Sequence, residues 1–356
     1  MFDRKIPNND LKLLPWDFDY NQIFILKLAI KATWKLEKLN WLMYLIPNKQ
    51  ILISPMLIKE SVESSAIENI HTTTHKVLQA RAIWWESISW TEKEVLSYHD
   101  AILFGYEKLK KDWWLWYNSF LEIQKIVEPN KYWVRKTPWT IIADWKWDAI
   151  YTPPEGKDNI DRLLSNVEDF MNNFDDDIDA LIKMPVLHCQ FESIHPFYDG
   201  NGRTWRILNV LYLILAKKLD FPILFLSEYI NKNRNKYYNL LSQTHKNSDY
   251  RDFVIYLLEW IIEQADNTSK KILNIQKLIK NTEKQIEALN MDYHKITNLL
   301  FSEPFMSIKT YKEKMWVVEI TATRNIKKLE ENNIISSVKI GRNKLVYIPE
   351  FIKLLS

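Results

Sequence analysis

At 356 residues and 47% hydrophobic content, the chain has enough apolar surface to form two or three domains. Its 48 Lys/Arg stand against 45 Asp/Glu, a net +3, so no overall field marks it for nucleic acid or a membrane surface. The single cysteine, Cys189, excludes an internal disulfide framework and fits a reducing compartment. The opening MFDRKIPNND lacks the apolar run of a signal peptide, and no stretch reaches the roughly 18 apolar residues of a membrane span. The expectation is a cytoplasmic protein without membrane contact.

Apolar residues three and four apart predict helices over 22–45, 56–83, 92–110, 159–173, 177–192, 203–218, 231–243 and 250–288. Strand-like alternation is confined to 140–151 (TIIADWKWDAIY) and 335–348, each with two short arms around a polar centre, which predicts two hairpins. Gly341-Arg342-Asn343 supplies turn chemistry at the tip of the second. Between about 265 and 300 the chain turns polar and reads as a long connecting helix. From Ser307 onward ten Lys/Arg face five Asp/Glu, a net +5, so the positive charge of the chain is concentrated in its last segment.

The stretch richest in chemistry is Ser193-Ile194-His195-Pro196-Phe197-Tyr198-Asp199-Gly200-Asn201-Gly202-Arg203-Thr204-Trp205-Arg206. Gly200-Asn201-Gly202 precedes an apolar-periodic segment, so it forms the turn entering a helix and presents backbone N–H groups at the positive end of the helix dipole, a cradle for an anion. Arg203 and Arg206, three apart, face the same side of the first turns. Asp199 offers the hard oxygen that Mg²⁺ on a polyphosphate requires. A histidine's ordinary pKa lies near neutrality, so the residue type at His195 suits proton abstraction. Base, metal ligand, phosphate cradle and two guanidinium groups together describe phosphoryl or nucleotidyl transfer. Alone, each is more often structural; a lone histidine is usually a satisfied core residue and DGNG is usually just a turn.

This window resembles the Fic family signature HPF-x-(D/E)-GN-(G/K)-R-x-x-R at every specified position. The similarity extends to Arg135-Lys136-Thr137-Pro138, the 140–151 hairpin and Tyr151–Gly156, which look like the family's flap, and to Phe225–Ile230 with Tyr237-Tyr238, which resemble its adenine side. The resemblance implies a mainly α fold: a Fic helical core with a small β-hairpin flap. It implies transfer of AMP from ATP-Mg²⁺ to a Ser, Thr or Tyr hydroxyl of a target protein, with self-modification included and pyrophosphate released. His195 would be the base and Asp199 the metal ligand. Asn201 with the Gly200–Gly202 amides would hold the α-phosphate, and Arg203 and Arg206 the β- and γ-phosphates. Thr204, Tyr229, Asn233 and Tyr237 complete the implied ATP site, and the hairpin would pair with the target as an added strand.

Upstream, Ser64-Ser65-Ala66-Ile67-Glu68-Asn69 is similar to the family's inhibitory pattern (S/T)-x-x-x-E-(G/N), in which Ser64, Glu68 and Asn69 are the specified positions. A carboxylate there would pair with Arg206 and occupy the place of the γ-phosphate. Residues 301–356 resemble a winged helix-turn-helix, with Arg324, Lys327, Lys328, Lys339, Arg342 and Lys344 available to a phosphate backbone. The implied organisation is an N-terminal extension with the inhibitory helix (1–110), a catalytic core (111–265), a linker helix (266–300) and the winged helix (301–356). The core is expected to fold and act without the last unit. The partners allowed are ATP, the target protein, DNA through 301–356 and a second copy in a homodimer. The alternatives are a DNA-binding regulator whose Fic domain senses nucleotide, or another Fic reaction: AMP removal, or phosphate, UMP or phosphocholine transfer.

Glycine occurs 5 times and tryptophan 16 times, whereas glycine usually makes up about 7% of a chain. UGA codons read as glycine in the source and written here as tryptophan would account for both. Glycine at 34, 41, 139, 145, 147, 205 and 316 is then expected to raise stability.

Overall fold

The structure, a computed structural model, describes residues 3–46, 48–83, 88–138, 140–143, 149–247 and 249–355. It is mainly helical. In chain order the elements are α1 (Ile23–Tyr44), α2 (Gln50–Ile67), α3 (Thr74–Ala82), α4 (Trp90–Asp112), α5 (Tyr117–Val127), β1 (Ile142–Ala143), β2 (Ala149–Tyr151), α6 (Lys157–Asn172), α7 (Ala180–Ile194), α8 (Asn201–Leu215), α9 (Ser227–Lys232), α10 (Arg234–Asn247), α11 (Arg251–Ala288), α12 (Tyr293–Ser302), β3 (Met306–Ser307), α13 (Ile308–Met315), α14 (Glu319–Glu331), β4 (Ser336–Ile340), β5 (Asn343–Tyr347) and α15 (Pro349–Leu355). They divide into two units: Met1–Lys38 with Asp100–Asp266, and Leu39–His99 with Asn267–Ser356.

In the first unit, α7 is apolar on every side (ALIKMPVLHCQFESI), the pattern of a helix destined for the interior, and all its residues but Glu192 are buried. Asp179 caps its start by accepting from Leu181 N at 2.8 Å. α6 and α8 pack on either side of it. α6 buries one stripe, Ile160, Leu163, Leu164, Val167, Phe170 and Met171, as its amphipathic spacing dictates. Gly105 lets α4 approach α8 closely: a Cβ there would stand 2.5 Å from Leu211 Cδ1. The chain before α1 lies along the β2 exit, with Thr152 Oγ1 donating to Arg4 O at 2.7 Å and Asn8 Nδ2 donating to Tyr151 Oη at 3.2 Å. β1 and β2 pair antiparallel, Ile142 opposite Tyr151, with a register shift between Ile142 and Ala143.

In the second unit, α2 is almost wholly buried and packs on α3, α12 and α15. The periodicity over 56–83 predicts one helix, but the structure has two. The break falls where Asn69 turns into the left-handed region (φ 63°), a common helix stop. α2 also begins six residues earlier than its periodicity suggests and carries Pro55 inside. α15, in the last segment, thus covers part of this buried helix. In 301–356 itself, Ser307 caps α13 by accepting from Thr310 N at 3.1 Å. β4 and β5 form an antiparallel hairpin turning at Gly341 (φ 57°), and β3 completes a sheet of order β3-β5-β4.

The tryptophan positions separate on backbone grounds. Trp316 follows α13 in the left-handed region (φ 56°) and is 93% exposed, and Trp113, which composition alone does not single out, does the same after α4 (φ 53°). A side chain with a Cβ costs about 1–2 kcal/mol in that region. Trp316→Gly and Trp113→Gly are each expected to raise the melting temperature by about 2–4 °C. Unchanged or lower melting of both variants would remove the strain argument. The expected gain is reversed elsewhere. Trp205 is buried and stacks on Phe191 at 4.4 Å, so glycine would leave a cavity. Trp34 and Trp41 lie within α1, where glycine costs about 1 kcal/mol relative to alanine. Trp139, Trp145 and Trp147 lie outside the described residues.

Candidate active site

The site is built around the turn that joins α7 to α8. α7 ends at His195, whose backbone is left-handed (φ 46°, ψ 60°), and this reversal lifts the imidazole out of the helix line. Its side chain is a quarter exposed, and its Nδ1 lies 4.0 Å from Glu192 Oε2. Pro196 and Phe197 are buried, and Asn201 closes the turn behind them. Asn201 Oδ1 accepts from Phe197 N at 2.8 Å, and its Nδ2 donates to Phe197 O at 2.9 Å. The Asn201 amide is thus occupied in bracing the turn, while the Gly200–Gly202 amides lie at the start of α8. Gly200 (φ 72°) suits this left-handed backbone, and a Cβ there would press on Glu128 Cγ at 3.0 Å.

Three side chains from α5 and the loop after it, none evident from the sequence, hold this turn. Gln124 donates from Nε2 to Asp199 O at 2.9 Å and accepts from Thr204 Oγ1 at 2.5 Å. Glu128 Oε1 pairs with Arg203 Nη2 at 2.5 Å, and Arg203 is 2% exposed. Removing one partner of such a buried pair typically costs about 3–5 kcal/mol. Lys131 Nζ meets Asp199 Oδ2 at 2.9 Å, while Asp199 Oδ1 accepts from Gly200 N at 2.8 Å. Partial burial of Asp199 works against ionisation. The Lys131 ammonium, the Gly200 N–H and the Arg203 charge outweigh it and hold the carboxyl below its usual range. Asp199 is therefore an ionised, half-exposed oxygen donor already facing a cation. Mg²⁺ is commonly held by one or two carboxylates together with substrate phosphates, so a single Asp199 beside an anion cradle fits it. Among the described residues no group of three or more His, Cys, Asp or Glu is placed to hold a metal by itself.

Behind the turn, Arg206 and Thr204 are buried. Thr204 serves Gln124 and faces the core. Fully buried His188 on α7 receives a hydrogen bond from Asn209 Nδ2 at Nδ1 (2.9 Å), which leaves its ring proton on Nε2, 2.8 Å from Tyr237 Oη. Tyr237 is itself buried, so its hydroxyl connects α10 to α7 and α8. Tyr229 packs its ring against Tyr256 and Trp260, and Asn233 caps α9 with Nδ2 donating to Tyr229 O at 3.0 Å. Burial, with the Arg206 charge adding to it, lowers the His188 pKa to about 3. The folded protein thus refuses a proton that the unfolded chain accepts below pH 6.5, and stability falls as pH drops through that value. Between pH 6.5 and 5 the slope attributable to this group approaches about 1.4 kcal/mol per pH unit. Denaturant melts of His188→Gln should show a flatter dependence in this interval; an equal slope in both proteins would discharge His188.

Ser64, Glu68 and Asn69 belong to the other unit. Ser64 is buried in α2, whereas Glu68 and Asn69 are exposed at its C-terminal end. Among the described residues, no helix is long and apolar enough to cross a membrane.

The Fic/DOC family N-terminal domain matches residues 26–107 and the Fic domain of that family matches 89–213. A probable protein adenylyltransferase of Aquifex aeolicus is 30% identical over 192 residues, 53% of this chain and 49% of its own. The protein adenylyltransferase Fic of Drosophila willistoni is 29% identical over 107 residues, 30% of this chain and 20% of its own. The chain thus matches no more than about half the length of these curated relatives. A Fic family protein from Desulfovibrio desulfuricans superposes with a TM-score of 0.60 at 16% identity, covering 94% of this chain and 98% of that one. Fic-1 from C. elegans superposes at 0.54 and 19% identity, covering 71% and 74%. This chain, then, carries the N-terminal domain and the Fic domain of the Fic/DOC family.

Proposed function

We propose that the protein is an adenylyltransferase that moves AMP from ATP onto a hydroxyl side chain of a protein. The observation that carries this reading is the α7–α8 turn, where a quarter-exposed imidazole, an ionised carboxylate and the N-terminus of a helix share one short segment. The target oxygen attacks the α-phosphorus, its proton passes to His195 Nε2, and the bond from the α-phosphorus to the bridging oxygen breaks to release pyrophosphate. The amides of Asn201 and Gly202 meet the charge that develops on the α-phosphate, and they do so already oriented, because the Asn201 side chain, Gln124 and Gly200 fix the turn before substrate arrives. Arg206 and Arg203 supply positive charge for the departing pyrophosphate, Arg203 while anchored by Glu128. Asp199 would hold Mg²⁺, which supplies charge neutralisation on the phosphates. Tyr229, Asn233 and Tyr237 shape the adenine side, Tyr237 through His188. The β1–β2 pair would receive the target as an added strand.

Glu68 is proposed as an internal brake on the same site through Arg206. The support is the segment Ser64–Asn69, which is similar to the family's inhibitory pattern and whose Glu68 and Asn69 are exposed. DNA contact through 301–356 has less support, because Lys328 donates to Leu289 O and Lys344 pairs with Glu330.

Incubation with ATP labelled at the α- or the γ-phosphate tests the reaction class. Label entering protein from the α-position alone is the expected result. Label from the γ-position would make the protein a kinase, and none from either would end the transferase reading.

A further inference from the structure

We propose that Arg135 is a positioning residue whose buried guanidinium fixes the backbone turn carrying His195 and fastens that turn to the exit of the β1–β2 pair. The inference rests on His195 as the base but concerns a residue outside the signature.

Arg135 is 1% exposed. Its Nε donates to His195 O at 2.7 Å, and its Nη2 donates to Ile194 O at 3.1 Å and to Pro154 O. These are the carbonyls of the last α7 residue, of the base itself and of the segment following β2. The first two lie at the C-terminus of α7, where carbonyls lack helical partners and the dipole favours a cation. The neighbouring backbone repeats the connection. Arg135 N donates to Pro196 O at 2.9 Å, Val134 bridges Phe197, and Lys136 N donates to Tyr198 Oη at 2.9 Å. Residues 134–136 therefore run beside 195–198 as a short splint, and the guanidinium fork is its cross-member.

This explains how a non-glycine residue holds a left-handed backbone at the catalytic position. Such a conformation persists only where the surroundings over-determine it. Here His195 O is held by Arg135 on one side, and His195 N donates to Phe191 O at 2.9 Å on the other. Burial opposes the charge and lowers the Arg135 pKa from its ordinary value, yet a guanidinium remains protonated at any working pH. A lysine has three donors on one nitrogen in place of a planar fork, so it does not reproduce the spread of guanidinium nitrogens that reaches Ile194, His195 and Pro154 together.

The test compares Arg135→Lys and Arg135→Met with the parent, using the full chain and His195→Ala as the reference for assignment. A displacement of the base on the order of 1 Å costs about 10²-fold in rate, so kcat for AMP transfer should fall about 100-fold in Arg135→Met, with KM for ATP changed less than about twofold. Arg135→Lys should fall between, near tenfold. The second readout needs no activity: the His195 imidazole resonance, identified by its loss in His195→Ala, should move or broaden in both variants. A purely structural role would lower the melting temperature while leaving kcat per folded molecule and this resonance unchanged, and that result in Arg135→Lys overturns the proposal even if Arg135→Met does not fold. If the parent transfers no AMP, the function proposed above fails, and the resonance still decides the role of Arg135. An active His195→Ala removes the base but not the splint, which the same resonance reports.

Discussion

Replacing His195 by alanine is expected to lower AMP transfer about 10²–10⁴-fold, the range that loss of a general base typically gives. ATP binding should persist, because the Asn201 and Gly202 amides, Arg203 and Arg206 do not depend on the imidazole. The turn itself survives the change: Asn201 to Phe197, Gln124 to Asp199 and Arg135 to the residue 195 carbonyl all use groups that alanine leaves in place. The check is rate per folded molecule at saturating ATP beside a calorimetric titration with ATP. Parent-like transfer would take His195 out of the mechanism, and loss of ATP binding would give it a binding role instead.

The second large effect concerns the proposed brake. Glu68→Gly should raise automodification about 10–100-fold, as expected for loss of a charged pair worth about 1.5–3 kcal/mol. Arg206→Ala should silence transfer in both the parent and the Glu68→Gly background, since it removes the guanidinium that substrate and brake would share. Activity of Glu68→Gly at or below the parent at saturating ATP would eliminate the brake. A Glu68→Gly protein that stays active without Arg206 would place the phosphate contact elsewhere.

The candidate site was legible where its chemistry is contiguous. His195, Asp199, Gly200 and the two arginines fall within twelve residues, so their grouping is read directly from the sequence. Their supports were not legible. Gln124, Glu128 and Lys131 meet residues 68–80 positions further along, and nothing local in α5 announces it. Arg135 stood out only as part of a flap-like string, because its three carbonyl partners are backbone atoms and carry no side-chain pattern. Asn201 and Thr204 show the converse. Read as phosphate contacts, they lie with their side chains turned inward to Phe197 and Gln124. For the fold, α7 was plain from its apolar character, whereas the split between α2 and α3 hinged on a single left-handed asparagine. β3, two residues long, offers no period to read.

Asn201 precedes Gly202, and an asparagine followed by glycine is prone to ring closure. The glycine nitrogen attacks the side-chain carbonyl, ammonia leaves, and water opens the resulting imide to aspartate or its β-linked isomer. In the native turn this chemistry is suppressed, because both ends of the Asn201 amide are held by Phe197 and the Gly202 nitrogen lies within the first turn of α8. Unfolding releases both restraints at once. A carboxylate at 201 cannot donate to Phe197 O, so a molecule that ages while unfolded would not rebuild the turn on refolding. Storage life should therefore follow the unfolded fraction, and heat inactivation should become irreversible with time at temperature.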